Sequence, residues 1–267
     1  MSMPVRLARV LFVLVMLLLL SAPAVAKRSS KKKSDTRQWV VLDGRKTRVV
    51  WNDGDSFRII RGPHKDMRAR LAGYNTLESY GPVHFWGPHH AYELYDNAKA
   101  GTQLAKSTVW ECETREGGGG YGRTLVECPK LREEMIRQGV AHVFAVVGKA
   151  DPALMAVQLD AQRNRRGMWK RTIPSTIVTS IHSITEKEGE EGAEVYNRVC
   201  DTATGRSWKV KHKATFKACD AFCHGGSCMV YVPFELRYGD KRPECLRRGR
   251  DNKLVLPSHL GEPLKQR

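Results

Sequence analysis

Asp55 lies in the turn Asn52-Asp53-Gly54-Asp55-Ser56. Arg70 and Glu78 stand eight residues apart in Arg70-Leu71-Ala72-Gly73-Tyr74-Asn75-Thr76-Leu77-Glu78, and Arg123 follows a glycine-rich stretch in Tyr121-Gly122-Arg123. These residue types suit hydrolysis of a phosphodiester. That reaction needs a water made nucleophilic and stabilisation of the negative charge that gathers on the phosphoryl oxygens. Glu78 can take a proton from water. Arg70 and Arg123 can each offer a planar fork to two phosphate oxygens while staying charged. Asp55 supplies the hard oxygen that calcium prefers. Each also has a plainer alternative: a surface ion pair for either arginine, a solvated loop for Glu78, turn chemistry for Asp53 and Asp55.

The three phrases, in this order and at this spacing, resemble the staphylococcal nuclease (thermonuclease) family over about residues 38–172. The resemblance implies a nuclease with low sequence specificity acting on DNA or RNA. It casts Glu78 as general base, Arg70 and Arg123 as phosphate clamps, and Asp55, the side chain of Asn75 and the carbonyl of Thr76 as ligands to Ca2+. The chain departs from the family phrase Arg-Leu-x-x-x-Asp-x-Pro-Glu at two positions, with Asn75 for the Asp and Leu77 for the Pro. An Asn oxygen ligates calcium but carries no charge, so the implied cation site is weakened. The alternative is a catalytically weakened or inactive protein that binds nucleic acid or another polyanion.

Short β-branched and aromatic runs place these residues. Strands are expected at 39–42, 47–51, 56–60 and 67–71, separated by Asp43-Gly44, Asn52-Asp53-Gly54 and Arg61-Gly62-Pro63, then at 108–113 and 123–128 around a mobile glycine loop. Helices are expected at 90–106, at 131–138 ended by Gly139, and after Asp151-Pro152, the last with an apolar face of Leu154, Val157, Leu159 and Ala161. The resulting fold class is α+β: a five-stranded OB-fold barrel with three helices, plus a small cysteine-rich, β-containing C-terminal module. His84, His89 and His90 could hold zinc, but without matching Cys or carboxylate spacing loop packing is the simpler reading. Tyr80, Phe85, Trp86 and Tyr121 could stack on bases, although core packing suits Trp86 at least as well.

Beyond the barrel, residues 173–194 read as a Ser/Thr-rich and acidic linker, 195–246 as the cysteine-rich module and 247–267 as a tail. At the other end, Arg6 and Arg9, the apolar run from Val10 to Leu20 and Ser21-Ala22-Pro23-Ala24-Val25-Ala26 have the form of a signal peptide over 1–26, followed by a basic leader at 27–37. The expectation is a secreted or periplasmic protein with no stable membrane span after cleavage. A formal charge of +17 favours polyanionic partners. Seven cysteines in an oxidising compartment imply disulfides and one odd thiol, with Cys112 and Cys128 facing each other across the glycine loop. For Cys219, Cys223 and Cys228 disulfides are preferred over zinc, because the spacing is not that of a standard metal pair.

Overall fold

The computed structural model describes residues 38–81, 83–187, 195–238 and 241–247. The expected signal peptide and leader, residues 188–194 of the expected linker and residues 248–267 of the tail lie outside the described residues.

Six strands close the barrel, in the order β1-β2-β3-β4-β8-β7. In chain order the first nine strands are β1 (Trp39–Leu42), β2 (Arg45–Trp51), β3 (Ser56–Ile59), β4 (Arg68–Leu71), β5 (Tyr74–Thr76), β6 (Val83–Trp86), β7 (Trp110–Gly118), β8 (Thr124–Glu127) and β9 (Ala141–Val143). The count of five is therefore corrected to six. Asp43 and Gly44 both take positive φ, so the chain folds back there and gives two strands, β1 and β2. β1 then closes the barrel by running parallel to β7. The glycine loop is also shorter than expected, because β7 continues to Gly118 and only a tight turn separates it from β8. Val40, Val49, Trp51, Phe57, Ile59, Leu71 and Val126 alternate inward and fill the interior.

Three helices pack on this barrel: α1 (Ala91–Ala105), α2 (Pro129–Arg137) and α3 (Pro152–Arg163). α1 begins in a capping box, with the His90 backbone N–H donating to Glu93 Oε2 at 3.0 Å. Pro129 and Pro152 each open a helix where no intrahelical N–H partner exists, and Asp151 accepts from Ala153 N at 2.8 Å. The buried face of α3 is Leu154, Met155, Gln158, Ala161 and Gln162, one step round from the expected face, and Leu159 is exposed. The shift has a polar cause: Gln158 and Gln162 both donate to the Thr202 carbonyl, at 2.7 and 3.0 Å.

That contact introduces the C-terminal region. Its strands are β10 (Thr176–Ser180), β11 (Val195–Asp201), β12 (Ser207–His212), β13 (Ala221–His224) and β14 (Ser227–Val230). β10 falls inside the segment expected to be a linker. Its Thr-Ile-Val-Thr run is β-branched, and Ile177 is buried with Leu77, Trp86, Leu94 and Trp169. β14 pairs with β6, so a strand from after the expected linker extends a sheet from before it. Disulfides join Cys112 to Cys128, as expected, Cys219 to Cys245 and Cys223 to Cys228, leaving Cys200 as a buried free thiol.

Among the described residues β6 has no strand partner other than β14, and Val83 and Ala91 are buried against Val230, Val232 and Leu246. A chain ending at Arg171 would strip these partners away. Each large aliphatic side chain re-exposed costs about 1.5–3 kcal/mol, against a total stability of about 5–15 kcal/mol. Such a chain is expected to show no cooperative thermal transition by circular dichroism. A sharp transition near that of the full chain would show that the C-terminal strands add little.

Candidate active site

Asp55 is fixed from three sides. The Asp53 carboxylate accepts from Asp55 N at 3.1 Å and from Ser56 Oγ at 2.7 Å, which holds the turn. The Tyr74 hydroxyl donates to the Gly54 carbonyl at 2.8 Å. Gly54 itself lies so close to β5 that a Cβ there would sit 2.6 Å from Thr76 Cγ2, so only glycine lets the turn approach. The Asp55 side chain is consequently buried, at 2% exposure, and needs partners. It has them: Arg70 Nη1 donates to Oδ1 at 2.5 Å, and Thr76 N and Oγ1 donate to Oδ2 at 2.8 and 3.1 Å.

Arg70 reaches this point because β4 pairs with β3 and sets Arg70 opposite Ser56. Its second terminal nitrogen, Nη2, donates to Asn75 Oδ1. Asn75 in turn donates from Nδ2 to the Thr76 carbonyl at 2.7 Å. One guanidinium thus spans Asp55 and Asn75, and the carbonyl expected to face a cation accepts from an amide.

Arg123 stands across the hairpin. A Cβ on Gly119 would lie 2.8 Å from Arg70 Cβ and 3.2 Å from Arg123 Cβ, so the glycine turn lets the two arginines converge. Arg123 Nε donates to the Gly120 carbonyl at 3.1 Å, and among the described residues Arg123 has no salt-bridge partner. Partial burial and the neighbouring Arg70 charge lower its pKa. Arg70 shows the opposite balance, since burial opposes its charge but Asp55, Asp53 and Glu78 outweigh that and raise its pKa.

Glu78 is partly buried just after β5, and its backbone N–H donates to His84 Nε2 at 3.1 Å. Burial, then the Asp55 charge, raise its carboxyl to about 7, with Arg237, Arg70 and Arg123 pulling the other way. Burial followed by Asp55 and Glu78 likewise raises Asp53 well above the carboxylate range. Arg237, which comes from the C-terminal region, had no signal in the sequence. His142 on β9, opposite Asn75, was missed too, and burial holds it near 4 and neutral.

Residues 68–171 match the family model described as staphylococcal nuclease homologue. This stretch is similar to staphylococcal nuclease homologues. No curated protein matches the chain. The nuclease homologue match contains Arg70, Asn75, Thr76, Glu78 and Arg123, whereas Asp55 precedes it and Arg237 follows it. The β3–β4 register brings Asp55 to the others, and the contact of Arg237 with Gly81 brings Arg237.

Asp53, Asp55 and Glu78 are crowded: the Asp55 charge helps raise the carboxyls of both Asp53 and Glu78, and Glu78 that of Asp53. Asp55, Asn75 Oδ1 and the Thr76 carbonyl are hard oxygen donors of the kind calcium takes. Only one of the three is charged, and among the described residues no three His, Cys, Asp or Glu side chains cluster as a metal site. The histidines are engaged otherwise. His84 holds the Glu78 backbone, His89 Nε2 accepts from Arg171 N at 3.4 Å, and His90 begins α1. Trp86 is core, whereas Tyr80 and Tyr121 are exposed.

Proposed function

We propose that the protein is a cation-assisted nuclease that hydrolyses DNA or RNA phosphodiester bonds with little sequence preference. The observation that carries this reading is the convergence of Arg70 and Arg123 beside Glu78, a carboxyl held near 7 with its backbone fixed by His84. In this reading Glu78 takes the proton of the attacking water, and its raised pKa improves it as a base near neutral pH. Arg123, with no carboxylate partner among the described residues, spends its charge on the phosphoryl oxygens. Arg70 pairs with Asp55 and Asn75 and offers its remaining N–H groups to the same phosphate. Asp55, Asn75 and the Thr76 carbonyl would hold calcium, which would polarise a phosphoryl oxygen as a Lewis acid.

We also propose export through the N-terminal segment. Three disulfides support an oxidising compartment, and among the described residues no helix is long and apolar enough to cross a membrane. A second reading, nucleic-acid binding without cleavage, draws on the engagement of Arg70 by Asp55 and Asn75. An assay of the purified protein on single-stranded DNA, duplex DNA and RNA decides between them, run with calcium, with zinc and with chelator. Binding without cleavage in calcium and in zinc alike would overturn the nuclease reading.

Asn75→Asp tests the cation site. It adds a second carboxylate beside Asp55 and removes the amide donor that now engages the Thr76 carbonyl. The calcium concentration for half-maximal cleavage should fall about tenfold or more, as expected of one further anionic ligand. An unchanged calcium dependence would remove Asn75 from the ligand set.

A further inference from the structure

Among the described residues four aromatic rings are exposed: Tyr80, Tyr121, Phe234 and Tyr238. Three of them form one cluster. Tyr80 and Tyr238 have ring centroids 6.5 Å apart, and Phe234 meets Tyr238 edge-on at 5.9 Å. Phe234 is 70% exposed and Tyr238 51%, so neither ring acts as core. Burying a ring of this size is among the larger single apolar gains a fold can make, and here two are left in solvent side by side.

Two cations accompany the rings. Lys99 Nζ lies 4.0 Å from the Tyr80 ring centre and donates to the Ser79 carbonyl at 2.8 Å. Arg237 lies over Phe234 at 5.8 Å, donates from Nε to the Val232 carbonyl at 2.9 Å, and runs its stem against Gly81. A Cβ on Gly81 would come 2.5 Å from Arg237 Cδ, so this glycine at positive φ makes room for the arginine. The contacts at Ser79, Tyr80 and Gly81 place the whole cluster directly downstream of Glu78.

Resting on the nucleic-acid reading above, we propose that Tyr80, Phe234 and Tyr238, with Lys99 and Arg237, form a stacking subsite for an unpaired base beside the scissile phosphate. Exposed rings accept the face of any base, and the flanking cations attract the phosphates that join bases together. A base inside a duplex has no free face to offer. The subsite therefore selects single-stranded or locally opened nucleic acid. Phe234, Arg237 and Tyr238 all lie beyond the nuclease homologue match, so the C-terminal region supplies most of this subsite.

The test uses the full chain in chelator, with a single-stranded DNA oligonucleotide carrying 2-aminopurine and the same strand in a duplex. Wild type should bind the single strand and quench the 2-aminopurine emission. The double variant Phe234→Ala/Tyr238→Ala should bind the single strand at least about fivefold more weakly and restore emission, the lower bound for losing one base–aromatic stack. Duplex affinity should move less than about twofold, and the salt slope of binding should stay the same, because no phosphate contact is removed. Phe234→Trp should keep the wild-type quenching. Because both rings are exposed, melting temperatures should match, which excludes misfolding as the cause.

Wild-type binding with an unchanged double variant would overturn the subsite while leaving the nuclease reading intact, and would assign the rings to a protein partner. A wild type that binds neither strand would overturn both.

Discussion

Glu78→Gln should lower turnover by about 10²–10⁴-fold, the usual contribution of a positioned general base, while single-strand binding and its salt dependence survive. Gln keeps the size of the side chain, and the contact that holds this position runs from the Glu78 backbone to His84, so the fold should not change. Wild type carries a second signature. Glu78 works only when ionised, and burial and Asp55 raise its carboxyl to about 7 without a cation. Cleavage should therefore fall as pH drops through that region and level off above it. Added cation brings positive charge to the same cluster, so the acid limb should move to lower pH as calcium rises. In the Gln variant the residual rate should lose this limb. Equal cleavage by wild type and variant, or a limb that ignores calcium, would deny Glu78 the role of base.

Much of this site was legible because its residues sit close together along the chain. Asp55 sits in the turn between β2 and β3, Arg70 on β4, and Asn75, Thr76 and Glu78 on or just after β5, a short stretch in which turn chemistry and strand alternation dictate which side chains share a face. That Arg70 would pair with Asp55 was not expected from the sequence; the strand register does it, by setting Arg70 opposite Ser56. Arg123 was legible through the glycines before it, since Gly119 is where the hairpin passes between the two arginines.

What the sequence hid comes from far away along the chain. The pairing of β14 with β6 leaves no local trace, because a strand's pattern says that it pairs but not with which partner. Arg237 therefore looked like one basic residue among 45 in a basic chain. β10 was hidden for a different reason. Its Thr and Ser residues suggested a linker by composition, although Thr, Ile and Val are β-branched and suit a buried strand equally well. The sixth barrel strand was legible as a run, since Asp43-Gly44 separates 39–42 from 47–51, and what the sequence left open was that both runs join one closed barrel. The consequence of Asn75 is the least legible of all. Composition shows a lost charge, but only geometry shows its oxygen accepting from Arg70 and its amide donating to the Thr76 carbonyl.

That geometry gives Arg70 two duties, and its variants should separate them. Arg70→Lys keeps a positive charge near Asp55 but cannot span Asp55, Asn75 and a phosphate with one planar group. Turnover should drop by about 10²-fold or more, as for the loss of a preorganised transition-state donor, with stability little changed. Arg70→Met removes the charge altogether. Asp55 is 2% exposed and close to Asp53 and Glu78, so it would be left buried without its cation partner. Breaking a buried pair from one side costs about 3–5 kcal/mol, a large share of the about 5–15 kcal/mol that holds a domain together. Adding Asp55→Asn to Arg70→Met should restore most of that stability, because the stranded charge is gone, and should restore no activity. Urea denaturation and single-turnover cleavage on the three variants measure the two duties independently. Near-normal turnover in Arg70→Lys would reduce Arg70 to a structural partner of Asp55. A double variant no more stable than Arg70→Met would mean that the cost lies in lost packing around the Arg70 stem and Phe144, not in the buried charge.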